Sequence, residues 1–242
     1  MKTTTILLAM LTWIGFCGLP SIGLAKTEIH LFDFSGSLAE CRPLLTKNLG
    51  QVNASIDDLD KNDRFLFFGY RSQGQPILLA AMAFPNKRGP KGRDIQATRE
   101  TLRRQLREAI ANLDERLQNS GGDTDIIGAL NHVLIFAGDQ AGTAGPIILH
   151  HYSDGIHTSR TGSFKADRYQ DYLARLTEQL AAEQLVKPAG IDGLVWHGAV
   201  CLENMRVSLQ DSAALQSSLR ALWSSYLEKE MPSVQPLYLL SY

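Results

Sequence analysis

Three short runs of this sequence are rich in hard oxygen donors. They are Asp33-Phe34-Ser35-Gly36-Ser37, Gly122-Asp123-Thr124-Asp125 and Ser153-Asp154-Gly155. The Asp-x-Ser-x-Ser spacing turns a carboxylate and two hydroxyls inward from one tight loop, and Gly36 lets the backbone bend. Such a loop is half of a divalent-cation site. The other half has to come from elsewhere in the chain, and Thr124 and Asp154 supply the matching groups. Two carboxylates, three hydroxyls and water make an octahedral oxygen shell, which suits Mg²⁺ or Mn²⁺ and offers nothing soft for zinc or copper. Because most of these ligands are neutral, a cation held there retains affinity for one more anionic oxygen.

Elements must carry these runs to one place. The stretch from Glu28 to Asp33 is apolar and strand-like, and it stops in the Asp33 loop. Ligands of open α/β sheets collect past the carboxyl ends of such strands. Leu38 to Leu59 then reads as a helix, with Leu38, Cys41, Leu45, Leu49, Val52, Ile56 and Leu59 recurring every three or four residues. Arg64–Tyr70 and Gln75–Phe84 are strands whose connector is too short for a crossover helix, so they form an antiparallel hairpin. A helix follows from Ile95 to Leu117. A second begins near Ile126, capped by Thr124 or Asp125. Gly145 to Asp154 is the next buried strand and again ends in a carboxylate. Helices at Phe164–Leu185 and Leu209–Glu228 bracket a strand at Ile191–Cys201, and Val234–Leu240 makes a last edge strand. The pattern predicts an α/β fold with a mostly parallel sheet and one antiparallel pair. If the strands of Asp33 and Asp154 are neighbours, all three loops meet at one edge.

The chain has 242 residues, 44% of them hydrophobic, and a formal charge of −1. That is enough for one sizeable core and argues against bulk attraction to nucleic acid or anionic lipid. Lys2, the apolar run Ile6–Leu19 and the small residues Gly23-Leu24-Ala25 read as a signal peptide, residues 1–25, cut before Lys26. Phe16 before Cys17 disfavours a lipid-attachment signal. A single domain over 26–242 then remains, with no later segment long and apolar enough to span a bilayer. The expected location is periplasmic or secreted.

This set of motifs resembles the von Willebrand factor type A (vWA) domain with its metal ion-dependent adhesion site (MIDAS). Asp33, Ser35 and Ser37 match the Asp-x-Ser-x-Ser signature, Thr124 matches the threonine opening a later helix, and Asp154 matches the aspartate of a later strand's Asp-Gly. The order of elements agrees across residues 26–242, which implies a three-layer Rossmann-like sandwich with helices on both faces. The resemblance implies that Ser35, Ser37 and Thr124 ligate Mg²⁺, with Mn²⁺ a possible substitute. Asp33 and Asp154 would act directly or through water. It further implies binding rather than catalysis, to a partner protein whose Asp or Glu carboxylate completes the coordination. Asp125 departs from that pattern, since an added carboxylate repels an acidic ligand.

Other readings compete. A Mg²⁺-dependent phosphohydrolase would use Asp33 as nucleophile, but haloacid dehalogenase-like enzymes carry a second aspartate where Ser35 stands, and no phosphate loop or nucleophile elbow is present. A structural part of an envelope machine is the third reading. The basic segment Lys87–Arg107 reads as the solvated face of an amphipathic helix, with an anionic partner as the alternative. His30, His150 or His151, and His197 fall in three predicted strands. They read as interior or surface histidines, with a histidine metal site as the alternative, because strand alternation need not turn them to one face.

Beyond the leader, two cysteines remain, Cys41 and Cys201, both near the carboxyl-end face of the predicted sheet. In an oxidising compartment they predict a disulfide, against the alternative of two buried thiols. Closing so long a loop stabilises by about 4–5 kcal/mol in the chain-entropy model. Mass spectrometry of unreduced, exported protein is expected to show the bridged peptide; two free thiols would refute the pairing.

Overall fold

The computed structural model describes residues 25–35, 41–71, 75–86, 93–113, 123–140, 145–159, 161–162, 164–186, 191–198, 209–234 and 236–240. The expected leader falls outside these residues except for Ala25, as do Gly36, Ser37 and Cys201. Six strands are β1 (Thr27–Asp33), β2 (Arg64–Tyr70), β3 (Ile77–Ala83), β4 (Ile147–Ser153), β5 (Ile191–Gly198) and β6 (Pro236–Leu240). Five α-helices are α1 (Arg42–Asp58), α2 (Arg93–Ala111), α3 (Ile126–Gln140), α4 (Tyr169–Ala182) and α5 (Leu209–Glu230).

The strands form one sheet in the order β3-β2-β1-β4-β5-β6. Only β2 and β3 run antiparallel, as their short connector requires. β1 lies in the interior, parallel to both β2 and β4, with Phe32 opposite Gly69 and Tyr152. The strands of Asp33 and Asp154 are therefore neighbours. The expected three-layer α/β architecture is present, with the hairpin at one edge and β6 at the other.

Strand alternation divides the core. Ile29, Leu31, Leu66, Phe68, Leu149 and Trp196 pack under α3, α4 and α5. Phe32, Phe65, Phe67 and Tyr152 pack under α1 and α2 with Val52, Ile56, Leu102 and Leu106. The α1 helix starts at Arg42, later than its apolar spacing suggests, with Pro43 in the first turn, where its missing N–H costs nothing. The basic face of α2 is partly used internally. Arg99 donates to the Leu59 carbonyl at 2.6 Å and Arg103 pairs with Asp57, so these arginines bind α2 to α1.

Four histidines are enclosed by the sheet and its helices: His30, His151 and His197 are buried, and His150 is half-buried. Burial lowers His150 and His151 to about 3 and His197 to about 4, and it also lowers His30. The unfolded chain titrates them near 6.5, so it takes up protons below that pH which the folded chain refuses. Their neutral burial thus favours the fold above about pH 6.5, and that contribution falls as pH drops towards 4. Each histidine costs about 1.4 kcal/mol per pH unit across that window. Urea unfolding in EDTA is expected to show a midpoint falling steeply from about pH 6.5 to about pH 4.5, and less steeply in His150→Gln. A flat midpoint in both proteins would contradict this account.

Candidate functional site

Asp33 ends β1 with no exposure to solvent. Its carboxylate is satisfied from several directions. Oδ1 accepts the backbone N–H of Ser35 at 2.8 Å, and Oδ2 accepts Ser153 Oγ–H from the end of β4 at 2.9 Å. The Ser35 and Tyr70 side chains hydrogen-bond it as well. Burial raises the Asp33 pKa, and these bonds work against that rise. The Tyr70 hydroxyl is kept protonated by burial and by the Asp33 charge, and it also meets His151 Nε2 at 2.9 Å.

Asp154 follows Ser153 and is also buried, with Oδ1 accepting the Ile156 N–H at 2.9 Å. Gly155 takes φ +77°, a conformation glycine adopts without penalty. Its carbonyl accepts the indole N–H of Trp223 from α5 at 2.9 Å, and its own N–H donates to Ser153 Oγ at 3.1 Å. The loop therefore turns sharply at the strand end and is clamped from above.

The third run is tied to the same loop. Thr124 donates its N–H to Thr158 Oγ1 at 2.7 Å, and its carbonyl accepts the N–H groups of Thr158 and Ser159 at 2.9 and 3.1 Å. Thr124 is buried, with its backbone held from both sides by the loop after β4. Asp125 rather than Thr124 caps α3, with Oδ1 accepting the Gly128 N–H at 2.8 Å. The carboxylate that departed from the expected pattern is thus committed to the helix terminus.

His157 is fully buried behind the site. Its Nδ1 accepts the Ile126 N–H at 3.0 Å, Nε2 faces Ser159 Oγ at 3.1 Å and Gln179 at 2.5 Å, and its backbone exchanges two hydrogen bonds with the Tyr172 hydroxyl. It orders the loop between β4 and α4.

Of the expected ligands, Asp33, Ser35, Thr124 and Asp154 lie in loops joined by hydrogen bonds at the carboxyl end of β1 and β4; Ser37 is outside the described residues. Their donor set is all hard oxygen, with two buried carboxylates and two buried hydroxyl residues, and it fits Mg²⁺ or Mn²⁺. The sequence reading missed Ser153 and Tyr70, which bridge to Asp33. Their signal was positional: each ends a strand flanking β1.

A central strand ending in the Asp33 loop, an antiparallel edge hairpin, and a second oxygen-rich loop on the adjacent strand decide the architecture. The fold is vWA-like. No protein-family model matches the sequence, and no curated protein does. Among solved structures, the chain is similar to the ArnB paralog VWA2 from Sulfolobus acidocaldarius, at 13% identity and TM-score 0.41 over 73% of this chain and 36% of that one. It is similar to the PilB minor pilin from Streptococcus sanguinis, at 12% identity and TM-score 0.46 over 92% and 59% of the two chains. It is also similar to the manganese-loaded Plasmodium vivax TRAP protein, at 16% identity and TM-score 0.37 over 79% and 62%. The chain spans less than two thirds of the length of each.

Cys41, immediately before α1, is buried and disulfide-bonded. Its predicted partner, Cys201, lies outside the described residues.

The vWA-like loop depends on Gly155. A Cβ there would meet Trp223 Nε1 at 3.1 Å, in addition to the positive φ. Gly155→Ala is expected to destabilise by roughly 1–2 kcal/mol. Urea denaturation reads the loss directly, and an unchanged midpoint would show that the turn is not constrained.

Proposed function

We propose that this chain is a metal-dependent protein-binding module of the periplasm or cell exterior. In this reading Asp33, Ser35, Ser37, Thr124 and Asp154 hold Mg²⁺, or Mn²⁺ in its place, and the bound ion takes a carboxylate from a partner's Asp or Glu. The observation that carries the reading is the direct link from Ser153 Oγ to Asp33, made while the following loop grips Thr124 through Thr158. One hydrogen-bonded frame thus positions all three oxygen-rich runs.

The cation supplies electrophilic character that draws an anionic oxygen from outside. The chain's own residues do the rest. Asp33 provides charge from within the protein, its lone pairs fixed by Ser35, Ser153 and Tyr70. The neutral hydroxyls of Ser35 and Thr124 bind without cancelling the ion's charge. Asp125 caps α3 through Oδ1, which holds its carboxylate at the helix terminus.

Binding is favoured over turnover by the state of the nearby acid–base groups. Catalysis needs a positioned base or nucleophile beside the reacting atom. His157 is buried, with both ring nitrogens engaged, and Asp125 is spent on the helix cap. Export and the Cys41–Cys201 pairing belong to the same reading, since a disulfide-bonded Cys41 suits an oxidising compartment.

Calorimetry is expected to give Mg²⁺ and Mn²⁺ binding heats for the wild type, at least ten-fold weaker binding for Thr124→Ala, and none for Asp33→Ala. EDTA and Thr124→Ala should each abolish capture of an immobilised acidic peptide. Absence of heats in all three proteins would refute the metal site. Capture that survives both treatments, or phosphoester hydrolysis lost in Asp33→Asn, would refute the binding reading.

A further inference from the structure

The face of the sheet under α1 carries a polar cluster remote from the loops above. Glu28, His30 and His150 each offer a ligand atom within 4.8 Å of the others, and this is the one such group of three found among the described residues. Glu28 and His30 are two residues apart on β1, and His150 stands directly opposite His30 on β4. Strand alternation and parallel register therefore turn all three to one face. Strand alternation, which need not have done so, turns His30, His150 and His197 to one face, and His151 to the other.

We infer that Glu28, His30 and His150 form a second metal site, selective for a borderline transition ion such as Zn²⁺ or Co²⁺ rather than Mg²⁺. Two imidazoles and one carboxylate are a nitrogen-rich donor set, which hard cations decline and zinc-like ions accept. Glu28 Oε1 is held by Lys26 Nζ at 2.7 Å, while Oε2 is buried and accepts no hydrogen bond. That orphaned oxygen lies 3.5 Å from His30 Nε2. Two ligands at roughly 2.0–2.2 Å from a tetrahedral ion stand about that far apart.

The outer partners are also in place. His30 Nδ1 lies 3.2 Å from the Tyr152 hydroxyl, the kind of second contact that orients a ligating imidazole, and Nε2 lies 3.1 Å from Ser55 Oγ, a contact that an ion at Nε2 replaces. His150 Nδ1 lies 3.2 Å from His197 Nε2, so a third imidazole supports the second. An ion lies in the plane of each ring it binds. The His30 and His150 rings are now stacked 4.6 Å apart and 7° from parallel, so binding tilts one of them. Burial keeps both imidazoles neutral at pH 7, with lone pairs available.

The full exported chain, stripped with EDTA and desalted, is titrated with Co²⁺ as an optical probe. A visible d–d band saturating at one Co²⁺ per chain is expected. Zn²⁺ should displace it and excess Mg²⁺ should not. Thr124→Ala, which alters only the loop site, should leave the band unchanged. Glu28→Gln and His150→Ala should weaken binding at least ten-fold while circular dichroism remains that of the wild type. His150 is only half-buried, so its replacement tests the site even if Glu28→Gln misfolds. Zn²⁺ should also raise the wild-type Tm and leave that of His150→Ala unmoved. Absence of a band, or equal Co²⁺ affinity in wild type and His150→Ala, overturns the inference, and neither result bears on the Mg²⁺ site.

Discussion

A carboxylate with no access to water, at the end of an interior strand, is the constraint around which this molecule is arranged. Burying the Asp33 charge costs several kcal/mol unless its lone pairs are met. The chain meets them from Ser35 just beyond β1, Ser153 at the end of β4 and Tyr70 at the end of β2. Both strands flanking β1 thus end in a group aimed at the same carboxylate. The sheet register is what brings them level, since Asp33 pairs with Tyr70 and Phe32 with Tyr152. A slip of one residue would turn Tyr70 and Ser153 to the opposite face.

The two faces of the sheet solve different problems. Under α3, α4 and α5 the core is predominantly aliphatic and aromatic, built on Leu149, Leu176, Leu219 and Trp223. Under α1 the sheet carries an imidazole and phenol ladder in which Tyr152 stacks on both Phe32 and His197. Ser55 on α1 meets one polar edge of this ladder, His30 Nε2, at 3.1 Å.

Much of this was legible in the sequence because it rests on local signals. The run Glu28–Asp33 declared a buried strand, the brief turn after Tyr70 forced an antiparallel hairpin, and the carboxylate at each strand end marked the loops. What escaped was cross-strand information. Nothing in the spacing of Ser153 or Tyr70 says that each reaches Asp33, because that depends on which strands become neighbours. The grouping of the histidines was open for the same reason, since His30 and His150 share a face only once β1 and β4 pair in register. The start of α1 shifted because periodicity locates a helix better than its first turn.

The bond from Trp223 to the Gly155 carbonyl spans 68 positions in sequence. It carries an implication for the order in which the molecule matures. A chain emerging from its amino end can pair β1, β2 and β4 before α5 exists, so the strand ends bearing Asp33 and Ser153 can meet early. The turn at Gly155 is locked only when α5 has emerged and docked. The fixed turn at Gly155 is thus the last part of this loop to form, and a nascent chain halted short of α5 would have its strands in place and that turn unclamped.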